Sequence, residues 1–403
     1  MRPRVAACRV PRAALAAPLA LALLLGGCGG GGGSAVSSPA PPAVGSNQML
    51  VTVESYSAID TPTVNIPYVT LRVCDASGNC RTIDHVVLDT GSYGLRVLQS
   101  AVSGLDLPAD TTTGGASLAE CARFLGGYIW GAVSHATVGL GGETAGPLPI
   151  QVIGASGLPA APSGCSSGST DVGTLQKLQG NGLLGVGHFV TDPGPYYGCT
   201  ATSCTELKPQ PADSAKVSNP VAMLSSSDDN GIVLAMPAVA DTGAATTYGV
   251  LSLGVGTQSD NAVAGFSVIP ADTGGNLTVT LQGQAYPDSF LDSGSNFYFA
   301  ALSGVPVDSQ GNYVPSSLLN LPITLSASSG AAYPASLNSQ MLVANYSSLN
   351  FSSLVAFNDI ATQVSTSPPI VDLGMPYFYG KQVAYVINGM PSPLGNGPLY
   401  ALH

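Results

Sequence analysis

Charge is scarce in this 403-residue chain: Asp, Glu, Lys and Arg together make up 9% of it. Bases are scarcer than acids, with Lys and Arg totalling 12 against 23 for Asp and Glu, and the formal net charge is −11. An acidic, lysine-poor surface suits neither a phosphate backbone nor anionic lipid headgroups, so nucleic acid is not expected as a partner. Histidine occurs 4 times, and His85, His135, His188 and His403 stand far apart. With no C-x-x-C either, the chain is expected to hold no metal and no organic cofactor. Helix-forming runs of Ala, Glu, Lys and Leu are nearly absent, and so is any fixed-period repeat.

What is abundant is apolar residues at 45%, with Gly at 50 and Pro at 31. Together with plentiful Ser and Thr, this composition predicts a mainly β protein of many short strands joined by tight turns. The strands are expected to begin near Met49 with "MLVTVESYS", "IPYVTLRV" and "TIDHVVL".

Ahead of them, Arg2, Arg4, Arg9 and Arg12 precede the apolar run "ALAAPLALALLL", which is too short for a permanent span and ends in "LGGC" at Cys28. That ending resembles a bacterial lipoprotein signal, which implies cleavage after residue 27, a lipid on Cys28, and residues 28–48 as a Gly/Ser/Pro-rich tether. Gly29 in place of Asp points to the outer membrane, facing the periplasm. Losing the signal removes four bases and no acid, taking the net charge from −11 to about −15.

Six further cysteines in an exported chain favour disulfides. Cys74 with Cys80 and Cys199 with Cys204 close short loops, which leaves Cys121 with Cys165; six cysteines in principle allow fifteen pairings, and this is the local one.

Asp-(Thr/Ser)-Gly occurs at Asp89, Asp241, Asp272 and Asp292. Since Asp and Gly both form turns, a turn is the default reading of each. Asp241 and Asp272 lead into small or polar residues and are read as turns. Asp89 and Asp292 instead end the apolar runs "HVVL" and "SFL", are followed by Gly-Ser, and re-enter "YGLRVL" and "NFYFA", one in each half of the chain. Gly91 and Gly294 would let two such loops meet back to back, while the hydroxyls of Thr90, Ser92, Ser293 and Ser295 hold them. Two carboxyls so placed share a proton: one takes a proton from a trapped water and the other gives one to a peptide carbonyl.

These motifs resemble those of the pepsin-like aspartic proteases. The resemblance runs, in family order, over about residues 49–403, and includes "GLLGVGHF" (Leu184, Gly185), "VDLGMPYFYGKQVAYVI" (Leu373, Gly374), "GVLSLGVGTQSDN" and "GAVSHATVGLGG". The tail also resembles a group of proteobacterial lipoproteins. The likeness implies a two-lobed acid-protease fold with lobes at 49–236 and 237–403, a cleft between them, and Asp89 and Asp292 as the catalytic pair at its floor. Three positions depart from the pattern. The flap tyrosine falls on Phe124, with Tyr128 and Trp130 read either as substitutes at the hairpin tip or as ordinary strand packing, and Arg96 stands where a tryptophan is usual. In the second Leu-Gly element Asp372 replaces an apolar residue.

The expected activity is that of a lipid-anchored aspartic endopeptidase, acting as a monomer on a peptide or protein. The competing reading is a non-catalytic module that holds a peptide, glycan or partner protein in the cleft, favoured by the altered flap and by a near-neutral periplasm. A two-carboxylate glycosidase fits less well, because Asp-(Thr/Ser)-Gly-Ser loops are not its usual setting.

Overall fold

Apolar runs rich in Val, Ile and Leu alternate with Gly/Pro turns along the chain, and they become strands. A computed structural model describes residues 40–403 apart from 226 and 365. The signal-like segment, Cys28 and most of the tether lie outside the described residues. Helices among the described residues are single turns such as Leu175–Leu178, and none is long and apolar enough to cross a membrane.

The first half supplies β1 (Gln48–Val53), β2 (Pro67–Cys74), β3 (Cys80–Asp89), β4 (Tyr93–Leu98), β5 (Ser117–Phe124), β6 (Gly127–Leu140), β7 (Glu143–Ile153) and β8 (Gly182–Val186). Neighbour by neighbour, β6, β7, β4, β8, β3 and β2 pair in that order, and β2 returns to β6. The result is a closed six-stranded barrel, which leaves those strands without a free edge. Val73, Val86, Leu88, Leu95, Val97, Val138, Ile150 and Leu184 fill its core.

β1 leaves the barrel and pairs in register with Thr247–Leu253, from Gln48 opposite Ser252 to Val53 opposite Thr247. That strand is bonded to Gly231–Met236, which in turn pairs with Lys381–Val386. Leu399–Leu402 and Ser267–Pro270 continue the row. The two halves of the sequence are therefore joined by main-chain hydrogen bonds, and the sequence boundary at residues 236 and 237 falls at the end of one strand of the joint sheet. A separate seven-stranded sheet lies wholly in the second half, with Leu277–Leu281, Gln284–Leu291 and Asp372–Leu373 near its middle.

Three disulfides are formed among the described residues, and they are the local ones. Cys74–Cys80 closes the β2–β3 hairpin, Cys199–Cys204 closes another, and Cys121–Cys165 ties β5 to the turn at Ser163–Ser166.

Candidate active site

Each half threads one strand between the two arms of an Asp loop. Asp89 ends β3 and Tyr93 opens β4, while β8 lies between them, parallel to β3 with Asp89 opposite Gly185 and antiparallel to β4. In the second half Asp372–Leu373 runs parallel to Phe290–Leu291 and antiparallel to Tyr298–Phe299. The Asp292 N–H donates to the Leu373 carbonyl at 3.1 Å. The thread must be thin where it crosses the loop: a Cβ on Gly185 would stand 2.6 Å from Tyr93 N, and one on Gly374 would stand 2.1 Å from the Phe297 carbonyl oxygen. Leu184 and Leu373 beside them are fully buried.

The two loops meet through their glycines. A Cβ on Gly91 would lie 2.6 Å from Asp292 Cγ, and one on Gly294 would lie 2.8 Å from Asp89 Cγ. Only hydrogen at both positions lets each carboxyl reach across the other's backbone. Between the loops, Thr90 N–H donates to Ser293 Oγ (3.2 Å) and Ser293 N–H donates to Thr90 Oγ1 (2.9 Å). Ser293 Oγ then donates to the Leu88 carbonyl at 2.7 Å. Thr90 Oγ1 does not reach the matching carbonyl; it donates to Tyr385 OH (3.0 Å), which donates in turn to Leu291 O (3.0 Å).

The carboxyls themselves are held unequally. Asp89 is buried and accepts from Gly91 N, Ser92 N and Ser92 Oγ at 2.8, 3.1 and 2.5 Å. Asp292 accepts from Gly294 N and Ser295 Oγ, both at 2.8 Å. Desolvation pushes the Asp292 carboxyl well above the ordinary carboxylate range, reinforced by the neighbouring carboxyls of Asp89 and Asp372, while Ser295 pulls the other way.

The remaining sequence-level assignments divide. Asp272 is a turn, as read: its Oδ1 accepts from Gly274 N (2.8 Å) and Asn276 N (2.9 Å). Asp75 and Asp308 cap their own Asp-x-x-Gly-Asn turns in the same way. Asp241 is exposed and accepts from Asn358 Nδ2 at 3.1 Å.

Of the two readings of the flap aromatics, strand packing holds and the tip position does not. The β5–β6 hairpin turns at Leu125 and Gly126, so Tyr128 and Trp130 lie along β6 opposite Arg123 and Cys121 rather than at the tip. Both pack with Cys121, Cys165 and Tyr197, and the Trp130 indole N–H donates to Pro159 O at 2.9 Å. Phe124 packs on Leu98, Ile129 and Ile153.

Arg96 is fully buried and paired with Glu120 and Asp192. Its Nη1 donates to the Tyr93 carbonyl at 2.8 Å, which ties the ion cluster to the start of β4. Burial pushes Glu120 up to about 8 against the pull of Arg96.

Sequence reasoning does not reach Tyr385 as a partner of the first loop. Its burial signal, an inward position in "QVAYVI", says nothing of a hydroxyl beside Thr90. Asp372 is visible only as a departure from an apolar position.

The fold and site define a mainly β protein in which two Asp loops, each with its own threaded strand, are built back to back around a pair of carboxyls. The chain belongs to the family described as "Protein of unknown function (DUF3443)", whose model matches residues 43–402. No curated protein matches it.

Proposed function

We propose that this protein is an aspartic endopeptidase with a two-lobed pepsin-like fold, tethered outside the cytoplasm by a lipid on Cys28 and facing the periplasm from the outer membrane. The observation that carries the reading is the reciprocal approach of Gly91 to Asp292 and of Gly294 to Asp89, and burial beside other carboxyls pushes Asp292 toward its neutral acid. Asp89, fixed by three donors, takes a proton from a water held between the carboxyls. Asp292 donates to the carbonyl oxygen of the scissile peptide, and the water oxygen forms the new bond to its carbon. Thr90, Ser293 and the two glycines keep the carboxyls in register, so little reorganisation is needed as charge develops.

Full-length protein in detergent, assayed on a peptide library from about pH 3 to 7, is expected to cleave, and Asp292→Asn to lose at least about a thousandfold in kcat/KM. Equal cleavage by both proteins, or by neither, would remove the peptidase reading. The packing of Tyr128 and Trp130 away from the hairpin tip favours a second reading, a cleft that binds a peptide without cutting it. Calorimetric binding of a peptide isostere with no turnover would select that one.

A further inference from the structure

The two threaded strands differ at one position. Val87 stands opposite Leu183 in the first half, and Phe290 opposite Asp372 in the second. Asp372 is fully buried, its Oδ1 has no hydrogen-bond partner, and its Oδ2 lies 2.6 Å from Ser295 Oγ. Ser295 Oγ is also 2.8 Å from Asp292 Oδ2. One hydroxyl carries one proton and cannot donate to two carboxylates at once. One of these contacts is therefore a carboxylic acid donating to the serine. Asp292 already accepts from a backbone N–H, whereas among the described residues Ser295 alone is within hydrogen-bond reach of the Asp372 carboxyl. The buried acid is then Asp372, and the chain runs from Asp372 Oδ2–H to Ser295 Oγ–H to Asp292 Oδ2.

Among the described residues no base offsets a charge on Asp372, and the titratable groups that share this cluster with it are the carboxyls of Asp89 and Asp292. Tyr298 and Tyr377, on the flanking strand and the following turn, are buried phenols held neutral, and Asp288 on the other flanking strand is exposed. Burial pushes Asp372 up to about 8.

We propose that Asp372 is a third, proton-sharing carboxyl of the site, linked to Asp292 through Ser295, and that it keeps the reacting pair protonated toward neutral pH. The inference rests on the peptidase reading for its consequence, but not for the proton itself. When the cluster loses a proton, Asp372 Oδ2–H passes its proton to Ser295 Oγ as the serine proton passes to Asp292 Oδ2. The charge then rests on Asp372, one hydroxyl away from the reacting pair. No bond between heavy atoms changes and nothing is oxidised. That charge in turn makes Asp292 harder to ionise. A periplasmic enzyme of this kind would retain its general acid at a pH where two carboxyls alone would have surrendered it. Asp372 is thus a positioning residue and not one that touches substrate.

Asp372→Asn separates this role from a structural one, because the amide keeps the size and still donates to Ser295 Oγ. In the full chain in detergent, the upper limb of the kcat/KM profile is expected to move about one pH unit to the acid side, a tenfold loss near neutrality with little loss in acid. Superimposed profiles would overturn the proposal. Infrared titration of the protonated-carboxyl band gives a readout that needs no turnover: it should persist to higher pH in the wild type than in Asp372→Asn, and coincident titrations would overturn the proposal. A wild-type protein that cleaves nothing yet shows the shifted band would sink the peptidase reading and leave the shared proton standing. Should Asp372→Asn fail to fold, Asp372→Leu, the residue that the first half carries at Leu183, is expected to shift both readouts in the same direction.

Discussion

The two Asp loops are built to the same plan and finished differently. The first gives Asp89 three donors, spends Ser92 Oγ on that carboxyl alone, and is threaded by the apolar Leu183. The second gives Asp292 two donors, divides Ser295 between two carboxyls, and is threaded by Asp372. A carboxyl surrounded by donors is suited to hold charge, and one surrounded by other carboxyls is suited to hold a proton. The asymmetry that the proposed acid–base chemistry requires therefore comes from what surrounds two similar motifs, not from the motifs.

The strongest way to break the comparison is to push the loops apart. Gly91→Ala puts a methyl group 2.6 Å from Asp292 Cγ and Gly294→Ala puts one 2.8 Å from Asp89 Cγ. Each is expected to cost about 2–3 kcal/mol of stability, read by denaturant unfolding, and about a hundredfold or more in kcat/KM. Retention of activity by either variant would mean that the loops need not touch.

A weaker effect separates the two halves by pH. In the second half the folded protein favours the neutral acids of Asp372, raised to about 8, and Asp359, raised to about 7, both chiefly by burial. A raised carboxyl contributes its full stability below its unfolded value, and the contribution is lost as pH rises through the folded one. In the first half His188 is lowered to about 4 by burial, so its contribution is present above the ordinary histidine value and is lost as pH falls toward 4. From about pH 4 upward the two raised carboxyls outweigh the one lowered histidine, so melting temperature is expected to be highest near pH 4 and to fall as pH rises. Asp372→Asn should flatten that fall, and His188→Gln should steepen it between about pH 4 and the ordinary histidine value.

The smallest expected effect tests the unequal bracing between the loops. Ser293→Ala leaves Thr90 N–H without its acceptor and Leu88 O without its donor, at a cost of about 1–3 kcal/mol. Tyr385→Phe removes a hydroxyl that relays between Thr90 and Leu291 O, and about 1 kcal/mol is expected because Thr90 Oγ1 still accepts from Ser293 N–H. Chemical denaturation of the two variants side by side would show whether the relay is equivalent to the direct contact.

How far these features are legible in the sequence depends on how local they are. Asp89 and Asp292 stand out because each ends an apolar strand and is followed by Gly-Ser, and Asp272 declares itself a turn by the Asn that closes Asp-x-x-Gly-Asn. The strands of the barrel are visible as apolar runs, but its closure by β2 on β6 is not, because nothing in either strand specifies a second partner. Tyr128 and Trp130 look like flap aromatics when counted along the chain. They pack sideways because the Cys121–Cys165 bond brings a turn against β6. Tyr385 is 295 residues from Thr90 and no pattern links the two.

By itself the sequence determined where strands end and turns fall, which residues carry oxygen beside each Asp, and which glycines leave a carboxyl room. These are properties of adjacent residues, set by side-chain size and backbone freedom. Only the tertiary structure decided that the two loops face each other, that Tyr385 completes one of them, and that Asp372 lies one hydroxyl from Asp292. It also decided which carboxyls are pushed toward the neutral acid, because burial of that kind exists only once distant segments have closed around them and excluded water.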